Sequence, residues 1–202
     1  MASTYLTRTP SSASNRKTFT MSAWLKLSGI GSARKLLYVN NSSTDRSFFG
    51  FEATDKFKIQ NKISSSVTCH VETNRLFRDA SAWYHLVIAV DTTQATSSNR
   101  VKLYVNGVQE TSLSTATYPS QNEDWQVNNT VLHDIGRRLD ANSDYFDGSM
   151  SHFHFIDGTA YTPSAFGETD ATTGEWKIKT SPSVTYGTNG FFILKDGNSV
   201  TD

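Results

Sequence analysis

Three short stretches of this chain carry residue types suited to holding or transforming a ligand. The first is Tyr118-Pro119-Ser120-Gln121-Asn122-Glu123-Asp124-Trp125-Gln126. It sets one tryptophan among amides and carboxylates. A sugar site needs that combination: an exposed ring to stack on the apolar face of a pyranose, and planar polar groups to fix its hydroxyls. Trp125, Tyr118 and Asp124 are the candidates there. The competing account is that Trp125 plugs an edge of the core beneath its loop. The second stretch, residues 136–148, offers Asp140, Asn142, Asp144 and Tyr145. Asn142 and Tyr145 extend the sugar-binding set. Asp140 and Asp144 are hard oxygen donors of the kind that a calcium ion takes several at a time. Against that stands a solvated acidic loop that turns through Asx hydrogen bonds. The third stretch is His152-x-His154. Alternate strand positions can reach one metal ion, although no third ligand is evident. Two imidazoles on a polar or loop-covered sheet face are the plainer reading.

Hydrolytic chemistry is poorly provided for. Glycosidic hydrolysis needs two carboxyl groups about 5–9.5 Å apart. Glu123 and Asp124 are adjacent, so on a strand they point to opposite faces. Glu168 and Asp170 have a suitable spacing but follow Gly167 in a polar loop. No G-x-S-x-G, H-E-x-x-H or glycine-rich phosphate loop occurs. The single cysteine, Cys69, lies in the strand-like run Ser66–Val71 and reads as a small buried residue. His85 reads as a sheet residue with a hydrogen bond, not as a base. The expectation is a non-catalytic protein. A glycan-cleaving enzyme is the last alternative, and it would depend on Glu123 or Asp124.

The elements that must position these residues are strands. Asn106-Gly107 is the dipeptide that best accepts positive φ at both centres of a type I′ turn. Before it, Val101, Leu103 and Val105 alternate with Lys102 and Tyr104, the period of a half-buried strand. Strand signals recur near 19–27, 35–39, 47–52, 56–60, 67–72, 84–91, 101–105, 108–112, 131–135, 149–156 and 190–194, separated by turn clusters. Such spacing suggests an all-β sandwich or barrel. In 20–27, Met21, Ala23, Leu25 and Leu27 share one face and Trp24 falls on the other. Either a loop covers Trp24 or the strand is buried on both sides. In 149–156, Met150 is expected to accompany His152 and His154, with Phe153 and Phe155 opposite. Thr162-Pro163-Ser164-Ala165-Phe166-Gly167 reads as one short helical turn that packs Phe166 on the sandwich. Trp24, Trp83 and Trp176 read as core or rim packing.

The chain has 202 residues, with 19 basic and 19 acidic side chains. That length buries about 70% of the unfolded surface in one core, so a single domain over 1–202 is expected. The tail after Lys195 has no evident packing role, which suggests either a domain cut from a longer protein or a natural frayed terminus. The balanced charge gives no field favouring nucleic acid. No apolar run approaches the 18 residues of a membrane span. Residues 1–90 hold 12 basic against 5 acidic side chains, and 91–202 hold 7 against 14. Either a sandwich interleaves these halves, or a basic edge faces an acidic loop cluster and suits assembly into a homo-oligomer.

The pattern W-Y-H-x-V-x-x-x-D through V-x-L-Y-V-N-G, here residues 83–91 and 101–107, resembles the central hairpin of laminin G-like and pentraxin jelly rolls in the concanavalin A-like lectin superfamily. The segments 5–20, 145–148, 166–168 and 186–191 extend the likeness to laminin G-like domains in bacteriophage virion proteins. The resemblance implies an all-β jelly-roll sandwich of two antiparallel sheets with a buried first long strand. It implies a virion module, of tail-fibre or capsid-decoration type, that binds host-surface glycan through edge loops. A purely structural virion protein making coat or fibre contacts with other virion proteins is the alternative. The superfamily's glucanase pattern E-x-D-x-x-E is missing. On the pentraxin calcium pattern, Asp140 falls on the aspartate, Arg138 takes the glutamate's place, and Asn40-Asn41 lie where an Asp-Asn pair belongs.

Overall fold

The computed structural model describes residues 3–195 and 200. Among them fifteen strands follow in order: β1 Leu6–Arg8, β2 Thr18–Leu27, β3 Arg34–Asn40, β4 Arg46–Phe51, β5 Phe57–Ile63, β6 Ser66–Thr73, β7 Tyr84–Asp91, β8 Val101–Val105, β9 Val108–Gln109, β10 Leu113–Thr117, β11 His133–Ile135, β12 Gly148–Asp157, β13 Gly167–Thr169, β14 Trp176–Ile178 and β15 Phe191–Ile193. They form a seven-stranded sheet, β1-β11-β3-β4-β5-β6-β10, a six-stranded sheet, β15-β12-β2-β7-β8-β9, and the hairpin β13-β14. All the pairings within them are antiparallel. This is the expected all-β jelly-roll sandwich. Among the described residues the helical content is two 3-10 turns, Ser97–Asn99 and Pro163–Ala165. The second is the expected turn, with Pro163 in its first residues and Phe166 buried just after it.

The inner faces meet over an aromatic centre. Phe19, Phe49, Phe155 and Trp125 lie within 5.7–6.3 Å of one another along the chain of ring contacts. Phe51, Phe57, Phe77 and Tyr84 form a second cluster of edge-on pairs, the geometry that the ring quadrupole favours. The β8–β9 turn is as read: Asn106 and Gly107 both have positive φ, 49° and 83°.

The six-stranded sheet is buried on its outer face as well. Residues 159–187 fold back over it, and Val87, Ala89, Tyr104, Ile156 and Phe166 make a smaller core with Tyr161 and Tyr186. Trp24 is therefore covered, stacked on His85 at 4.8 Å, with Trp176 beside the edge of His85 at 6.0 Å. Strand β2 is buried on both sides.

Three expectations need correction. Trp83, expected to pack, is 42% exposed, because it precedes β7 and lies outside the sheet. Met150 faces the core with Phe153 and Phe155. A bulge after Ser151 places His152 and Phe153 together opposite Ala23, since Ser151 pairs with Trp24 and His154 with Ser22. The extra residue switches the face, and His152 carries it at φ 48°. Strand β9 ends at Gln109, short of the expected 112. The tail 196–202 lies outside the described residues apart from Val200. The charge asymmetry is interleaved, as Lys35–Asp144, Arg46–Asp140 and Arg75–Glu110 pair one half with the other.

Candidate functional site

The expected sugar-binding residues separate into two places. Trp125 is 0% exposed. Its ring meets Phe19 edge-on at 5.7 Å, and its N–H backbone group donates to the Arg16 carbonyl at 3.0 Å. The exposed-platform reading of Trp125 is thus replaced by the packing one. Its polar neighbours are engaged inward. Glu123 accepts hydrogen bonds from Asn61 and Thr68 at 3.0 and 2.7 Å. Tyr118 is half-buried against the core, and Asp124 is exposed, 4.0 Å from Lys17. Nothing aromatic is left facing solvent beside Asp124.

Asn142 and Tyr145 are brought together at a rim. The β1–β11 pairing, with Leu6 opposite Ile135, delivers Tyr5 next to Arg137. The Arg137 guanidinium lies 3.5 Å from the centre of the Tyr5 ring, and Tyr145 stands 6.3 Å from the same ring. Arg137 Nε donates to buried Asp134, which fixes the guanidinium. Arg137 and the Tyr145 hydroxyl both donate to the Asn142 side-chain carbonyl at 2.8 Å. Tyr5 is 40% exposed. An open groove of about 620 Å³ adjoins the cluster, lined by Tyr5, Leu6, Gly136, Phe146, Ser149 and Met150 among others. Apolar ring surface, a cation and an amide with free N–H groups converge beside a concavity, the general form of a small-molecule site. Tyr5 and Arg137 were not singled out from sequence. They lie far apart along the chain, and only the pairing of two three-residue strands unites them.

Asp140 and Asp144 do not make a cation cage. Arg138 forks onto Asp140, at 2.7 and 3.3 Å. Burial disfavours the Asp140 charge, but hydrogen bonds from Arg138 and Tyr38 and the charges of Arg138 and Arg46 together outweigh that and hold the carboxyl below its ordinary range. Asp144 sits 3.9 Å from Lys35, which also pairs with Glu52 at 2.8 Å. A divalent ion between them would meet cations already in place. Among the described residues no group of three or more His, Cys, Asp or Glu side chains is placed to hold a metal ion.

The histidines are structural. His154 is buried, its Nδ1 within 2.9 Å of the Tyr186 hydroxyl and its ring stacked at 3.9 Å on Phe192. His152 Nδ1 lies 2.7 Å from Ser151 Oγ. His85 Nε2 is 2.8 Å from buried Ser22 Oγ. Trp176 donates to His85 Nδ1 at 2.9 Å, so Nε2 carries the ring proton and donates to Ser22. That is the wrong tautomer for removing a proton from serine, and burial lowers the His85 pKa to about 3. Burial also pushes the Cys69 thiol up. Glu168 and Asp170 share Lys177, at 3.7 and 2.9 Å.

Two stacked antiparallel sheets joined in this order define a lectin-type jelly roll. The chain belongs to the laminin G-type domains of the Concanavalin A-like lectin/glucanases superfamily, which match residues 2–165. Among solved structures, it is similar to a heptameric SAP-like pentraxin from Limulus polyphemus, with TM-score 0.57, 11% identity, and 95% of this chain and 89% of that one covered. It is similar to domains LG4-5 of the mouse laminin alpha1 chain, with TM-score 0.52, 10% identity and coverages of 94% and 44%. It is also similar to tailspike protein 2 of an Escherichia coli O157:H7 bacteriophage, with TM-score 0.51, 9% identity and coverages of 79% and 22%. The chain thus spans less than half of the laminin and tailspike chains. No curated protein sequence matches it.

Proposed function

We propose that this protein is a non-catalytic glycan-binding module of a bacteriophage virion, engaging host-surface sugar through its rim. One observation carries the reading: Tyr5, Arg137, Asn142 and Tyr145 form a preorganised aromatic and polar cluster beside an open groove. The likeness of segments 5–20, 83–107 and 186–191 to phage laminin G-like domains supports the virion setting. The ion pairs at Asp140 and Asp144 favour sugar contact without calcium. The test is a glycan array probed with the intact protein, with and without calcium. Binding that persists in chelator and is lost in Tyr5→Ala/Tyr145→Ala supports the reading, and a blank array defeats it.

A second reading, a structural virion protein making oligomeric contacts, is favoured by Leu76 and Trp83. Both are 42% exposed and flank the same connection between β6 and β7. Light scattering separates the two: a stable oligomer whose mass falls to that of a monomer in Trp83→Ser supports the structural role.

A further inference from the structure

The segment that covers the outer face of the six-stranded sheet leaves one corner open. Residues 160–162 border it on one side and the segment 92–100 on the other, and between them lies an open hollow of about 170 Å³. Residues two apart on a strand share a face. Ala89 and Asp91 on β7, and Lys102 and Tyr104 on β8, therefore leave the sheet together on this side. The register sets Ala89 opposite Lys102. The Asp91 N–H donates to the Arg100 carbonyl at 2.8 Å, so Asp91 stands diagonal to Lys102. All four line the hollow, and Tyr161 closes it from the covering segment.

Two polar groups in the hollow are unspent. Tyr104 is 9% exposed, and its hydroxyl bonds to nothing among the described residues yet stays within reach of water. Burial raises its pKa, so it keeps its proton to donate. Lys102 is half-buried, and its ammonium makes no ion pair or hydrogen bond among the described residues. Asp91 is held in place. Its Oδ1 accepts from Thr18 and from the Thr93 N–H and hydroxyl at 2.6–3.3 Å, and its Oδ2 from Gln94 at 2.6 Å. Burial disfavours its charge, but these hydrogen bonds outweigh that and hold the carboxyl below its ordinary range. Its Oδ2 keeps a lone pair free. An ammonium that only donates, a carboxylate that only accepts and a hydroxyl that does either thus surround one small space. A bare anion there meets Asp91, and a bare cation meets Lys102. Adjacent hydroxyls on a sugar ring satisfy both, one donating to Asp91 and its neighbour accepting from Lys102. The Tyr161 ring, set edge-on to Phe166 and tied through its hydroxyl to the Thr185 N–H at 3.2 Å, supplies apolar surface beside them.

We propose that the hollow between Asp91, Lys102, Tyr104 and Tyr161 is a second subsite, which takes adjacent hydroxyls of a neutral sugar. This rests on the glycan-binding reading and adds a contact at the other end of β2. Thr18 pairs with Asp91 beside the hollow, and Leu27 pairs with Gly148 beside the rim groove. The ten residues of β2 hold the two about 30 Å apart, so one sugar residue cannot touch both.

The experiment is an NMR titration of the isotope-labelled protein with methyl glucoside, methyl galactoside and methyl mannoside, with sodium sulfate as the bare anion and glycine as a zwitterion. The subsite predicts saturable shifts at Ala89, Lys102, Tyr104 and Tyr161 with at least one glycoside and none with sulfate or glycine. Tyr5→Ala/Tyr145→Ala, which removes the rim cluster, leaves those shifts in place. Tyr104→Phe and Lys102→Met each weaken that glycoside by about tenfold, the loss of one hydrogen bond. Tyr104→Phe does not lower Tm, because the hydroxyl it deletes is unpartnered. Shifts confined to Tyr5 and Tyr145 overturn the subsite and leave the rim reading standing. Shifts at neither place overturn both. An equal response to sulfate or glycine overturns the choice of a neutral sugar.

Discussion

Trp176 donates its indole N–H to His85 Nδ1 at 2.9 Å, the two rings lying side by side and near-coplanar, 6.0 Å between centres and 21° between planes. The pair ties the β13–β14 hairpin to the six-stranded sheet. It also fixes the imidazole tautomer, and so decides that the Ser22–His85 contact is structural.

The buried imidazoles set the acid limit of the fold. Burial lowers the pKa of His85 and His154 to about 3 and of His133 to about 4, from an ordinary 6.5. All three are neutral when folded. Below pH 6.5 the unfolded chain binds protons that the folded one refuses, so stability is full above that pH and declines as pH falls toward 4. Each histidine contributes up to about 1.4 kcal/mol per pH unit in that window. Thermal melts from pH 7.5 to 4 should show a falling Tm, and His85→Gln should make the slope shallower by one proton. A flat profile contradicts the neutral buried assignment.

Gly107 is the seat of the Trp176 ring. It has φ 83°, and a Cβ there would lie 2.7 Å from the indole. Gly107→Ala should therefore cost roughly 1–3 kcal/mol in urea unfolding from the backbone alone. Part of the full loss is the indole clash. In a double-mutant cycle with Trp176→Ala, the two costs should add to more than the double variant loses. Simple additivity would show that the ring does not rest on this turn.

Trp125 and Trp83 should behave in opposite ways. Trp125→Ala empties the aromatic centre and should cost about 3–5 kcal/mol. Trp83→Ala, at a largely exposed side chain, should stay within about 0.5 kcal/mol. Chemical denaturation reads both. If Trp125→Ala keeps full stability and loses sugar, the buried placement is wrong.

Calcium should not stabilise the protein. A ligand that binds only the folded state raises Tm with its concentration. With Arg138 on Asp140 and Lys35 beside Asp144, calcium and EDTA should give superimposable melts. Arg138→Glu removes the guanidinium and supplies the pentraxin-type ligand. That variant alone should gain a calcium-dependent rise.

Much of the fold was legible in the chain because long strands carry their own signature. The runs at Thr18–Leu27 and Tyr84–Asp91 and the Asn106-Gly107 turn needed only local patterning. The strands Leu6–Arg8, Leu113–Thr117, Gly167–Thr169 and Trp176–Ile178 are short, polar or at edges, and alternation has no room to show in them. The His152 bulge defeated a period-2 reading because nothing in Ser151-His152-Phe153 announces an extra residue. The site suffered most. Trp125 sits among polar residues in sequence, yet those residues turn inward to Asn61, Thr68 and Thr92. Asn142 and Tyr145 were legible as loop residues, whereas Tyr5 and Arg137 become neighbours only through β1–β11 pairing.

The most direct measurement incubates the protein with a polysaccharide it retains and follows, in one sample over hours, both bound protein and new reducing ends. Retention without new reducing ends, abolished in Tyr5→Ala/Tyr145→Ala, is the predicted result. Steady release of reducing ends by the intact protein would contradict it.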